Sequence, residues 1–399
     1  MKSVIVQSLL ALFVCVLIWP ATYIAAAEPK AKKSSQSKPS EARAAIIRQV
    51  RIEDTWREAE VFVVLPGKTV AIRVALPEAS AIANLGDSGP SGAKGTARTF
   101  SSSRSSDYRW KVAFGKVASV AENQIEWVAP TAPGHYQIDC EFESQGKLSY
   151  AAGDAESRSR ELPAFRASTT FHFLVPVEFD AEGPGVIEGC PIGVYPNENA
   201  KDVKAVIADR RDRYRPPRWF VAATSATREL YVSEHFRLRE FVPNAPKDAT
   251  TYFPYNANLV RTLEAILADL KTSEMPTPHV RILRGFLSPY DAERLRRAGA
   301  QLLTWNRYQY GDGVLVVANG DAGEKMGDLN RDGKVDVRDA EKLAGAISGV
   351  QKRLGLPGWI GVYAERPDKM LPETPMVGFD LRGWWAESYT AAESSAKSE

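Results

Sequence analysis

Cysteine and histidine are scarce in this chain. Only three cysteines and four histidines occur in 399 residues, too few for a dense disulfide framework. Cys15 falls in an apolar leader and would leave with it. That leaves Cys140 and Cys190 either to pair in an oxidising compartment or to stay as buried thiols, and spacing alone does not decide between the two. His135 and His172 sit in alternating strand patterns. His235 and His279 have no second His or Cys at ligand spacing, so all four read as structural histidines. An excess of charge is lacking as well. Fifty-one basic residues against 49 acidic ones give a net +2, so charge lends no support to a nucleic-acid or anionic-membrane partner. No repeat of fixed period is visible.

The chain does have ordinary globular material, 44% hydrophobic and 25% charged residues, enough for about two or three domains. Lys2 precedes a largely apolar run over residues 4–24, and Ala25, Ala26 and Ala27 offer a small-residue cleavage site before Glu28. Residues 1–27 read as a signal peptide, with Pro20 and the alanines favouring cleavage over an uncleaved anchor. This predicts a secreted or periplasmic protein with no transmembrane segment after cleavage. Residues 28–50, rich in Lys, Ser and Pro at their start, read as a flexible spacer.

Residues 51–178 alternate with period two and are punctuated by Gly and Pro, the pattern of an all-β sandwich. Trp110, Val112 and Phe114 share one face of a strand, and Tyr136, Ile138 and Cys140 share one face of another. Residues 80–107, rich in Gly, Ser and Ala, read as a long mobile loop. The stretch 127–136, with Trp127, Pro130, Pro133, Gly134 and Tyr136, resembles the late strands of bacterial Ig-like domains.

Residues 179–228 read as a connecting segment, one that must pack on a neighbour because Ile187, Ile192, Val194 and Tyr195 are too apolar for a free linker. From residue 229 the pattern turns to mixed α and β. Leu259, Val260, Leu263, Ile266, Leu267 and Leu270 line one helical face, with Asn256 or Asn258 as cap. Val280 to Leu283 predicts a strand, Ser288 and Pro289 start a second helix, and Ala340, Leu343, Ala344, Ile347 and Val350 line a third.

Three segments between residues 229 and 390 together resemble the zinc D-Ala-D-Ala carboxypeptidases of the Hedgehog/DD-peptidase fold, which act on peptidoglycan stem peptides. They are the run around Ser233, His235 and Glu240, the run Arg284-Gly285-Phe286-Leu287, and the run from Asn306 through Leu315 to Asp380 and Arg382. The resemblance implies an α+β domain in which three side chains hold zinc and an open position holds water. Yet Tyr308 stands at the family's His ligand, Leu315 at its Asp ligand and Gly378 at its second His, while Leu287 replaces the substrate-binding Arg. None of these is a good zinc donor. The expectation is therefore a non-catalytic domain that binds peptidoglycan or an envelope partner. The rival expectations are an active zinc peptidase with displaced ligands and a purely structural module. Tyr310, Asp312, Asp380 and Arg382 are the candidate cleft residues, with Trp305, Trp384 and Trp385 as aromatic neighbours.

One ion loop is legible. Asp328, Asn330, Asp332, Asp336 and Asp339 place oxygen donors at the first, third, fifth, ninth and twelfth positions. Gly333 takes the tight turn and Lys334 offers a carbonyl, so the loop predicts calcium. Residues 391–399 read as a tail.

Overall fold

The structure is a computed structural model. It describes residues 47–52, 54–75, 100–150, 158–196, 214–243, 248–272, 278–300, 302, 306–320, 323–367, 369–384 and 389–390. The leader, most of the spacer, the tail, Trp305 and Trp385 lie outside these residues. The described chain is β-rich, with three α-helices, and none of its helices is long and apolar enough to cross a membrane.

Alternating apolar residues build nine strands first: β1 (Ile47–Ile52), β2 (Thr55–Glu58), β3 (Val61–Val63), β4 (Thr69–Ala75), β5 (Phe100–Val112), β6 (Lys116–Ala121), β7 (Gln124–Val128), β8 (Gly134–Tyr150) and β9 (Arg158–Val175). They form two sheets, ordered β2-β1-β4-β7-β6 and β3-β9-β8-β5. The inward residues of both sheets make one core around Ile72, Ile125, Trp127, Ile138, Phe171 and Phe173. Each fully buried side chain of this size stabilises by about 1.5–3 kcal/mol. Trp127 satisfies its one donor by giving Nε1–H to the Phe114 carbonyl at 2.9 Å. Two boundaries move. β1 begins at Ile47, so the spacer ends before residue 50. Residues 100–107 belong to β5, pairing with β8 from Phe100 onward, rather than to a mobile loop; residues 76–99 lie outside the described set. Both remaining thiols are free: Cys140 is buried in the sandwich core and Cys190 is half-buried elsewhere. Burial pushes the Cys140 thiol up to about 12.

The segment read as a connection is built into a second core. Its strands β10 (Val177–Glu178), β11 (Val186–Ile187), β12 (Cys190–Pro191) and β13 (Trp219–Ala223) lead to β14 (Thr251–Phe253), and β10-β13-β14 is a three-stranded sheet. Phe179, Ile187, Ile192, Tyr195 and Phe220 enter the core, whereas Val194 points to solvent. A β-bonded apolar segment with its own inward face is a domain wall, not a spacer.

Beyond it come α1 (Ala257–Thr272), β15 (His279–Arg284), α2 (Pro289–Arg297), β16 (Gly313–Asn319), α3 (Val337–Leu354), β17 (Ile360–Tyr363), β18 (Met376–Asp380) and β19 (Tyr389–Thr390). Asn256 caps α1, its Oδ1 accepting from the N–H groups of Asn258 and Leu259. Ser288 caps α2 through Asp291 N–H at 3.1 Å. The sheet runs β15-β16-β18-β17-β19. All seven residues of β16 are buried, which is why this strand reads as a continuous apolar run instead of alternating. The sandwich joins the second core through Tyr231, whose carbonyl accepts from Glu60 and Val61 N–H at 2.8 and 3.0 Å.

Candidate functional site

β16 lies between β15 and β18, so Leu315 stands across from Arg284 on one side and from Gly378 on the other. Gly378 in turn stands across from Gly361. Directly opposed residues share a face, so these four form one row across four strands. The 3₁₀ turn Arg307–Tyr310 sits over the same face, because a Cβ on Gly313 would come within 2.9 Å of the Arg307 Cβ. Leu287 donates its N–H to the Tyr308 carbonyl at 3.2 Å and packs against that ring. The Arg284 guanidinium lies 5.8 Å from the Tyr308 ring centre. Leu287 and Tyr308 thus touch, Leu315 and Gly378 stand side by side on paired strands, and Arg284 lies next to both pairs.

That neighbourhood is filled. Leu315 is fully buried. The Trp359 ring lies over the two glycines: a Cβ on Gly378 would sit 3.2 Å from Trp359 Cζ3 and 3.2 Å from Tyr363 Cε2, and one on Gly361 would overlap the indole. Glycine is required here by close approach of an aromatic ring, not by backbone angle. The side chains at the four positions are a phenol, two isobutyl groups and a hydrogen. This set does not fit zinc, which takes imidazole, thiolate or carboxylate, so no zinc-dependent step follows.

The four cleft candidates also gather, with Tyr310, Asp312 and Asp380 buried and Arg382 half-buried. Arg307 grips Asp312 with Nε at 2.9 Å from Oδ1 and Nη2 on Oδ2. Arg382 grips Asp380 with Nε at 2.8 Å from Oδ1 and Nη2 on Oδ2. Asp380 Oδ1 also accepts the Trp359 N–H at 3.1 Å. β16 and β18 hold the two carboxylates together, since Asp380 pairs with Gly313, the residue after Asp312. Aromatic rings close around the cations: Tyr310 and Tyr214 are 4.5 and 5.1 Å from the Arg307 guanidinium, and Trp384 is 5.5 Å from that of Arg382. Asp312, Asp380 and Tyr310 are buried. Burial pushes the Asp312 carboxyl above the usual carboxylate range, against the pull of Arg307, and burial pushes the Tyr310 phenol up in the same way. These groups form an ion-pair centre at the ends of two strands, its carboxylates buried and Arg382 half-buried. Nothing in the sequence singled out Arg307, Trp359 or Gly361; their roles come from side chains meeting across strands.

The acidic loop folds as a series of side-chain turns. Asp328 accepts from Asp332 and Gly333 N–H at 3.2 and 2.8 Å, Asn330 Oδ1 accepts from Asp332 N–H at 2.9 Å, and Asp332 Oδ1 accepts from Lys334 N–H at 3.0 Å. Gly333 takes φ +82°, a left-handed angle that suits glycine. Arg338 bridges Asp332 and Asp336 at 2.8 and 2.7 Å. Asp339 is turned inward onto the N–H groups of Leu329, Asn330 and Asp336, and with Asp336 it forms the capping box of α3. Among the described residues no three His, Cys, Asp or Glu side chains converge at metal distance. The oxygen donors keep the order on which the calcium expectation rests, and Arg338 occupies two of them, Asp332 and Asp336.

Compared with known proteins, the chain matches no protein-family model, no curated relative and no solved structure.

Proposed function

We propose that this chain is an exported cell-envelope protein whose second body is a non-catalytic relative of the zinc D-Ala-D-Ala carboxypeptidases, and that it binds peptidoglycan or an envelope partner. The observation that carries this reading is that positions 315 and 378 stand side by side, positions 287 and 308 touch, and Arg284 lies next to both pairs. A chance match of short motifs gives no reason for distant residues to pair in this way. Their pairing without a metal donor fits a site that has kept its frame and lost its chemistry. The first body is read as an Ig-like sandwich. Supporting this are the buried Trp127 and the Tyr136 hydroxyl, which reaches back to the Ala132 carbonyl at 2.9 Å in the manner of a tyrosine corner. In this reading calcium would be held by Asp328, Asn330, Asp332, Asp336, Asp339 and the Lys334 carbonyl. Bound there, it would neutralise the loop at the start of α3, with Arg338 swung aside.

Purified mature protein should sediment with isolated cell wall, or hold an envelope protein in its place, and should contain well under one zinc per chain. Stoichiometric, chelator-sensitive zinc together with D-Ala release from stem peptides would overturn the non-catalytic reading.

A further inference from the structure

Two histidines of the sandwich meet on its outer face. In the β8–β9 ladder Gln137 stands across from His172, and His135 stands across from Leu174. His135 and His172 are therefore diagonal neighbours on one face, opposite to the face on which Tyr136, Ile138 and Cys140 pack into the core. His135 Nε2 and His172 Nδ1 are 3.0 Å apart. The ring centres are 5.2 Å apart and the planes are 21° from parallel, so the rings meet edge to edge with these two nitrogens facing. Among the described residues neither ring has a second hydrogen-bond partner. Burial lowers both pKa values, which favours the neutral imidazole, the form that binds metal.

The surroundings suit a cation. Arg48 is paired with Glu60 at 3.3 Å, and Lys111 is paired with Glu141. Asp139, on the same face of β8, accepts from the Thr170 hydroxyl at 2.6 Å and forms no ion pair among the described residues. His135, Gln137 and Asp139 line a groove of about 490 Å³ with Phe114, which brings water to the His135 side of the pair.

We infer that His135 and His172 together seat one copper(II) ion, with water from the groove completing its shell. Two nitrogens at about 2.0–2.1 Å from one ion stand about 2.9 Å apart at adjacent corners of a square shell, and about 3.4 Å apart in a tetrahedral one. The spacing of the pair matches the square arrangement, which copper(II) prefers and zinc does not. Copper(II) also binds nitrogen donors tightest among the first-row divalent ions. In the hydrogen-bonded pair one N–H is shared between the facing nitrogens. Binding moves that proton to the outer nitrogen of its ring, and each ring tilts until both lone pairs meet at the ion. Both rings are half-buried rather than locked in the core. Two protein donors make an open, exchangeable site, unlike the four-ligand sites that hold structural zinc. This site lies in the sandwich, so it goes beyond the proposed function and stands whether or not the second body binds wall.

The test uses the full mature chain, cleared with chelator, and copper(II) added against a weak competing ligand. One equivalent should bind, and its electron paramagnetic resonance spectrum should carry couplings from two imidazole nitrogens. The paramagnetic ion should broaden the ring NMR signals of His135 and His172 before those of His235 and His279. His135→Gln and His172→Gln should each weaken binding by at least about a hundredfold, since loss of a mere supporting partner already costs about ten- to a hundredfold. Nickel and zinc should bind more weakly than copper. Cys190→Ser should leave copper affinity unchanged, because that thiol lies elsewhere. The NMR comparison needs no variant, so it decides the matter even if a substitution disturbs the sheet. Copper held by fewer than two imidazoles, broadening that begins at His235 or His279, full affinity in either histidine variant, or no copper retained at submillimolar concentration overturns the inference.

Discussion

Replacing Arg307 with methionine tests whether the paired arginines and aspartates are a structural brace. Arg307 and Asp312 side chains are 8% and 10% exposed, so solvent screens them little. Arg307→Met keeps much of the packing between Tyr214 and Tyr310 but leaves a carboxylate in a buried site beside Asp380. Breaking a buried pair from one side costs about 3–5 kcal/mol. Against a usual total of about 5–15 kcal/mol, that is a large share. With a urea slope of about 3 kcal/mol/M for a body of this size, the unfolding midpoint should fall by about 1–1.7 M. The double change Arg307→Met with Asp312→Leu removes both charges, and should recover most of the loss because no buried ion remains. The pH dependence of the single variant carries its own sign. In the native protein burial already raises the Asp312 pKa, and removing the guanidinium raises it further. A carboxyl with a raised native pKa binds its proton more tightly when folded. The variant should therefore lose little stability below the ordinary carboxylate range, and lose it progressively as pH rises through the native value. Urea melts at several pH values measure this. A loss under about 1 kcal/mol at neutral pH, or a double variant as weak as the single, would refute the brace.

Other outcomes are expected elsewhere in the chain. His135 Nε2 and His172 Nδ1 lie 3.0 Å apart on the sandwich, and burial lowers both pKa values, with His135 further lowering that of His172. Lowered values mean the unfolded chain binds more protons, so the melting temperature should fall as pH drops below about 6.5; His172→Gln should flatten that slope, and an unchanged slope would remove the pair as its cause. Calcium should raise the melting temperature by mass action, Asp332→Ala should abolish most of the rise, and Arg338→Gln should enlarge it by removing the competing cation; no calcium response after chelator treatment would leave the loop as a helix cap alone. Gly361→Ala should destabilise by about 1–3 kcal/mol through overlap with Trp359, read by denaturant melts, and a neutral result would mean the indole is free to move away. The proposed export predicts a mature protein that begins near Glu28, checked by mass analysis of the envelope fraction; an intact leader in a membrane pellet would point to an anchor.

By itself the sequence determined local structure wherever one period dominated. The three helical stripes, the caps at Asn256 and Ser288, the strand at Val280 and the sandwich alternation around Trp127 are properties of neighbouring residues, and neighbours are what a sequence displays. It was less informative where burial is two-sided. Residues 179–228 are rich in Gly and Pro and lack a clear period, yet β13 pairs with β14 and Phe220 is fully buried; only a partner strand from thirty residues onward makes that segment a wall. The sequence likewise marked Asp312, Asp380 and Arg382 but not the burial of the two carboxylates, because exposure depends on what packs above a residue. Tertiary structure alone decided that Arg307 turns to Asp312, that Trp359 lies on two glycines, and that residues of β14 and β15 line one groove. Each of these is a contact between residues remote in the chain or a choice among rotamers, and its energy exists only once the sheets have formed.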